Sequence, residues 1–131
     1  MGFSNRLGQA FNRTRQVSLA TQLSLAATHW SRFRGLLCTP PANFGSGKGL
    51  WIVPCHGVHT FAMSFPIDVA YLDSGQVVVH IEPNLKPWRI ARVSRKTASV
   101  LELPASTLAS TGTQIGDAIE ITWRDDGEVT V

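Results

Sequence analysis

The stretch that most constrains the fold runs from Pro66 to Ile81. Proline opens a six-residue apolar run, Ile67-Asp68-Val69-Ala70-Tyr71-Leu72, and Gln76-Val77-Val78-Val79-His80-Ile81 runs back after Asp73-Ser74-Gly75. β-branched and aromatic residues on both sides of a short Asp/Ser/Gly cluster predict an antiparallel hairpin. Its turn is expected to have three residues, with Gly75 in the position that requires positive φ.

Other short runs surround this hairpin. Val17 to Leu25 alternates apolar and polar residues, as a half-buried strand does. Gly49–Pro54, Val58–Met63, Trp88–Val93, Ala98–Leu103 and Ala118–Trp123 are further strand candidates. Thr28 is placed to cap a helix over His29–Leu37, whose Trp30, Phe33 and Leu37 share one face. A second helical turn, Ala105–Thr111, is expected to end at Gly112. Glu82 to Pro87 reads as a proline-bracketed loop. Asn43 to Gly49 is glycine-rich but lacks the spacing of a phosphate-binding loop, so it reads as a connector. Many short strands punctuated by Gly and Pro predict a mainly β fold: a small compact β-barrel-like domain with one or two short helices.

A length of 131 residues fits one domain. The expected organisation is a basic, flexible N-terminal tail over residues 1–15, a β-rich domain over 16–124 and a polar C-terminal tail over 125–131. Charged residues make up only 16%, with seven prolines and eleven glycines, which argues against disorder. The net charge is +3, and Arg6, Arg13, Arg15, Arg32, Arg34 and Lys48 all precede the first acidic residue, Asp68. A solvated basic face accounts for this; the sharper alternatives are nucleic acid or an anionic membrane surface. Two cysteines, Cys38 and Cys55, are too few for a disulfide scaffold. No apolar stretch approaches the length of a membrane span, and the N-terminal residues have no apolar signal region. A cytoplasmic protein with reduced thiols is the expectation.

Chemistry concentrates between Cys55 and Asp68. In an extended strand Cys55, His59 and Met63 project to one face, and His56 and Thr60 to the other. A thiolate and an imidazole together suit zinc or copper, with Asp68, His29 or His80 as further ligands. The same types form a thiol triad: Cys55 as nucleophile, His59 or His56 as base, Asp68 as orienter. The plain reading is that Cys55 and Met63 fill core and His59 is hydrogen-bonded in the sheet. Asp68 stands where a strand wants a hydrophobe, so it must cap backbone amides, pair with an arginine such as Arg89 or Arg34, or be a perturbed acid in a cleft. Glu102 poses the same question. Trp88 and Arg89, with Arg92, could stack on a base or contact a protein. Asp117, after Gly116, reads as a turn residue.

Three segments carry a resemblance: Arg34-Gly35-Leu36-Leu37; Met63 through Pro66-Ile67-Asp68 to Val78; and Val100-Leu101-Glu102-Leu103-Pro104-Ala105 followed by Gly116-Asp117. Over roughly residues 17–121 the chain resembles the bacterial and archaeal family called domain of unknown function 192. The resemblance implies a compact, mainly β fold and no particular activity. Many relatives carry an export signal that this chain's N-terminal residues lack. The Cys55–Met63 run stands where a more familiar branch has Trp-Met-Lys-Asn-Thr, and Ser106 replaces the glycine usual after Pro-Ala.

The function expected from these observations is a small non-catalytic binding or accessory module whose pocket is lined by the Cys55–Asp68 segment. Its partner would be a protein or a small ligand, with no cofactor unless zinc or copper binds. One alternative is a metal- or thiol-dependent enzyme using Cys55, His59 and Asp68. The other is a basic nucleic-acid-binding protein, against which a single Trp and two Arg count.

Overall fold

The computed structural model describes residues 6–26, 44–55, 65–86 and 94–125. The helix expected over His29–Leu37 and the strands expected over Val58–Met63 and Trp88–Val93 lie outside these residues. Among the described residues there are seven strands: β1 (Arg6–Asn12), β2 (Val17–Ala26), β3 (Lys48–Ile52), β4 (Ile67–Leu72), β5 (Val78–Leu85), β6 (Ser99–Pro104) and β7 (Ile119–Asp125). A short helix, α1 (Thr107–Thr111), follows β6.

The strands form one sheet in the order β5-β4-β6-β3-β2-β1-β7. β2 and β3 run parallel; every other neighbouring pair is antiparallel. The sheet curls until its two outermost strands meet. Val77 and Ala118 form a bridge there, Val78 N–H donates to the Asp117 carbonyl (2.9 Å), and Gly116 N–H donates to the Val78 carbonyl (2.8 Å). The expected mainly β, barrel-like architecture is therefore present, joined at one corner.

The curl divides the sheet into an inner and an outer face. Ala10, Leu19, Ala20, Leu23, Ala70, Leu72, Val78, Leu101, Leu103 and Ile119 pack together inside, with Leu108 of α1 and the half-buried Trp51. Every strand supplies this inner core. A second core covers the outer face of β3, β6 and β4: Leu50, Ile52, Ile67, Val69, Tyr71 and Val100, with Phe44 against them. β4 is buried at all six positions and β6 at five of six, because both faces of these central strands are covered. That explains their nearly continuous apolar sequences. Each buried Val, Leu or Ile contributes about 1.5–3 kcal/mol by leaving water.

Three sequence expectations need correction. The N-terminal lead-in over residues 1–15 contains β1, which pairs with β2 on one side and β7 on the other. Its inward residues are Gly8 and Ala10, so it has no apolar period to read. Gly8 is small because the Trp123 indole lies across it; a Cβ there would come within 2.3 Å of the ring.

The hairpin turn is also one residue out of phase. Asp73 Oδ1 accepts the amides of Gly75 and Val77, each at 2.9 Å, which fixes the turn over Ser74–Gly75. The positive φ (62°) consequently falls on Gln76, not on Gly75.

The loop expected over Glu82–Pro87 lies largely inside β5. An edge strand tolerates Pro83, and the register slips between the Ile67–Leu85 and Val69–Glu82 pairs. By contrast β2, β3, β6 and the Gly112 cap of α1, at φ 69°, follow the sequence closely.

Candidate functional site

Strand register determines which side chains share the outer face. Across β3, β6, β4 and β5 one row reads Leu50, Glu102, Val69, Glu82, and the next reads Ile52, Val100, Tyr71, His80. Glu102 thus stands between two hydrophobes on the most deeply buried strand pair. It is 4% exposed, and its Oε1 has no hydrogen-bond partner among the described residues. Burial pushes its carboxyl up from 4.5 to about 8, because a charge without compensating partners is costly in an apolar setting. At neutral pH Glu102 is a neutral acid embedded in hydrocarbon.

His80 and Glu82 lie at the β5 margin of this face. Two residues apart on one strand, they point the same way, and His80 Nε2 sits 3.1 Å from Glu82 Oε2. The His80 ring also meets the fully buried Tyr71, with centroids 5.2 Å apart. Phe44 and Phe65 pack on the same core, with centroids 5.9 Å apart. Cys55 is half-buried, packs against this outer core and donates its amide to the Ala98 carbonyl (2.9 Å).

Asp68 is on the other side. It pairs with Leu103, whose side chain belongs to the inner core. Its carboxylate is 0% exposed and accepts two backbone amides, Asn84 N–H at Oδ1 and Leu108 N–H at Oδ2, both 2.8 Å. One side chain thereby fastens the slipped end of β5 and the start of α1 to the centre of the sheet. Cys55 and Asp68, grouped by sequence proximity, are placed on opposite faces of β4's sheet.

Of the other expected site residues, His56, His59, Thr60, Met63, Trp88 and Arg89 lie outside the described residues. Among the described residues no three His, Cys, Asp or Glu side chains come together as a metal site would require. Glu102, weighed below Asp68 from sequence, is the more unusual group. Glu82, two strands across in the same row, and Tyr71, in the next row, share this face with it. A regular continuation of the Leu72–Val78 pair would bring Tyr71 to Val79; the register shift between Tyr71 and Leu72 brings it to His80 and Val69 to Glu82 instead, and the sequence carried no signal for that shift.

A second polar cluster joins β1 to the turn before β7. Asn12 Nδ2 donates to Asp117 Oδ2 (2.9 Å) and Thr113 Oγ1 (3.1 Å), while Arg15 Nε donates to Asp117 Oδ2 (2.9 Å). The Gln114 amide adds a fourth bond at 3.0 Å. Burial alone would raise the Asp117 carboxyl, but the bonds from Arg15, Asn12 and Gln114 outweigh it and hold the group below its ordinary value. Asp117 is a turn residue, as expected, and also the hub of this network.

Known proteins share this arrangement of strands. The family model for DUF192, described as "Uncharacterized ACR", matches residues 10–121. A UPF0127 protein from Thermococcus sibiricus is 30% identical over 122 residues, covering 89% of this chain and 75% of the relative. Another, from Thermococcus kodakarensis, is 27% identical and covers 92% and 77%. Two solved structures superpose with TM-scores of 0.73 at 19% identity. One is a protein of unknown function from Novosphingobium aromaticivorans, covering 87% of this chain and 83% of that one. The other, a Sinorhizobium meliloti protein proposed to be a transcription regulator, covers 92% and 95%. At that identity the likeness establishes the fold. Among the described residues no helix is long and apolar enough to cross a membrane.

Proposed function

Because the chain belongs to the DUF192 family, whose description names no activity, we propose a function from its own geometry: a non-catalytic ligand-binding or accessory module. Its ligand docks on the outer face of β3, β6, β4 and β5, beside Cys55. The observation that carries this reading is Glu102, a buried acid with an unpaired oxygen in the middle of an apolar face. A core built for stability alone would place a hydrophobe at that position, since a buried polar group without a partner costs about 1–3 kcal/mol. Unpaired, perturbed acids of this kind concentrate at binding and reaction sites.

The thiol-enzyme reading receives less support. It needs Asp68 on the Cys55 side to orient a base, whereas both Asp68 oxygens are committed to backbone amides on the other side.

The test is a thermal-shift screen of the whole chain against small amines, neutral amides and alcohols, carboxylates and divalent metals, with Glu102→Leu in parallel. The variant is expected to have the higher basal Tm, while the wild type alone is raised further by at least one compound class. A wild type that no class shifts, or a variant that shifts equally, would overturn the reading.

A further inference from the structure

We propose that the outer face binds an organic cation, with an alkylammonium nitrogen seated on Glu102 and its alkyl part against Phe44, Phe65 and Tyr71. This rests on the docking reading above and adds the chemical class of the ligand.

Three features select a cation. The first is the acid itself. Oε1 of Glu102 lacks a donor among the described residues, and an ammonium carries three N–H donors, enough to satisfy both carboxylate oxygens. A ligand that only accepts, such as an ether or a tertiary amide, would use only the acid's O–H and leave the other oxygen unpaired. An anionic ligand would meet Glu102 and, two strands across the same row, Glu82.

The second feature is the aromatic surround. Phe44, Phe65 and Tyr71 belong to the core on which Leu50 and Val69, the flanks of Glu102, also lie. Ring faces attract cations, most strongly where water is excluded. A carboxyl group on the same outer face as these rings complements an alkylammonium group in both charge and hydrocarbon.

The third is that, among the described residues, no cation fills the place. Lys48 stands two residues before Leu50 on β3, so it shares that strand face, yet Glu102 Oε1 has no partner; His80 is paired with Glu82. With Cys55 beside the core and Tyr71 within it, these are the titratable described groups around the site. A bare metal ion fits poorly, because no third oxygen, nitrogen or sulfur ligand converges here among the described residues.

Protons balance simply. The neutral carboxyl gives up its proton to solvent as the ammonium docks, and the bound state is a carboxylate–ammonium pair with the charge on the nitrogen unchanged.

The experiment is isothermal titration of the full chain with n-butylammonium and with two neutral isosteres, n-butanol and N-methylbutyramide. It is run at neutral pH in two buffers of different ionisation enthalpy, on the wild type and on Glu102→Gln, with circular dichroism to confirm that the variant is folded. The wild type is expected to bind n-butylammonium with Kd of about 1 mM or tighter, to release about one proton per site, and to prefer it to either isostere by about tenfold or more. Glu102→Gln is expected to lose that preference. Equal or tighter binding of the neutral probes by the wild type, lost in the variant, overturns the cation while leaving the docking face standing. Binding of no probe overturns both readings, and equal n-butylammonium binding by Glu102→Gln removes Glu102 from the site.

Discussion

Asp68 Oδ2 accepts the amide of Leu108 at 2.8 Å across forty residues of sequence. This bond closes the start of α1, whose own N-terminal residue, Ser106, makes no side-chain cap. Since the other oxygen holds Asn84, replacing Asp68 exposes two buried amides to the lack of any acceptor. Asp68→Ala should cost about 3 kcal/mol or more, and Asp68→Asn less, because its carbonyl can still serve one amide. Urea unfolding of the three proteins measures this; an unaffected Asp68→Ala midpoint would remove Asp68 from the framework.

Ser106 has φ 77°, a left-handed conformation that a side chain disfavours. Ser106→Gly should therefore raise stability by about 1 kcal/mol, despite the greater freedom of the unfolded chain. The gain appears as an upward shift in urea midpoint with unchanged slope.

Glu102 makes stability depend on pH in a defined direction. Its carboxyl ionises near 4.5 when unfolded and near 8 when folded. Between these values the folded state holds the extra proton, so stability falls as pH rises, by up to about 1.4 kcal/mol per unit. The contribution is complete below 4.5 and lost through about 8. Glu102→Gln should flatten this slope, as read from urea melts at mildly acidic, neutral and alkaline pH.

Asp117 acts in the opposite direction. Its carboxyl is held below the ordinary value by Arg15, Asn12 and the Gln114 amide against the cost of burial. Its stabilisation is present above the unfolded value and disappears as pH falls through the lower folded one. Asp117→Asn should cost about 2 kcal/mol near neutrality and remove this acid-side loss. Together with Glu102, which acts on the alkaline side, these two groups favour the folded state most under mildly acidic conditions.

At Gly8 the Trp123 ring leaves no room for a methyl group, with Cζ3 only 2.3 Å from where a Cβ would stand. Gly8→Ala must displace the indole or the β1–β7 pairing. A loss of about 1–3 kcal/mol is expected, accompanied by a change in tryptophan fluorescence that a remote alanine substitution would not produce.

How much of this was legible in the sequence differs from element to element. β4 was readable because a doubly covered strand writes itself as Ile-Asp-Val-Ala-Tyr-Leu, and α1 because Gly112 ends it. β1 was not, since its inward positions are Gly8 and Ala10 and its burial comes from Trp123, more than a hundred residues away. The turn phase was missed because the Asp73 side chain outranked the glycine preference. Asp68 attracted attention by its place in an apolar run and proved to be a tie between elements. Glu102 had the same signature, and only the register, which sets Leu50 and Val69 beside it, separates an acid with two backbone partners from one with an unpaired oxygen.

The pairing of β1 with β7, from Arg6 opposite Asp125 to Asn12 opposite Ile119, has a consequence for synthesis. A chain emerging from the ribosome presents β1 first and β7 last, so one side of β1 has no partner until nearly all of the described chain has been made. The central strands can associate earlier, but the barrel cannot close on the nascent chain. Completion of the fold is a late event set by contacts of high sequence separation, which are slow to form. During that wait the exposed edge of β1 is the part of the molecule most open to a chaperone or to a neighbouring chain.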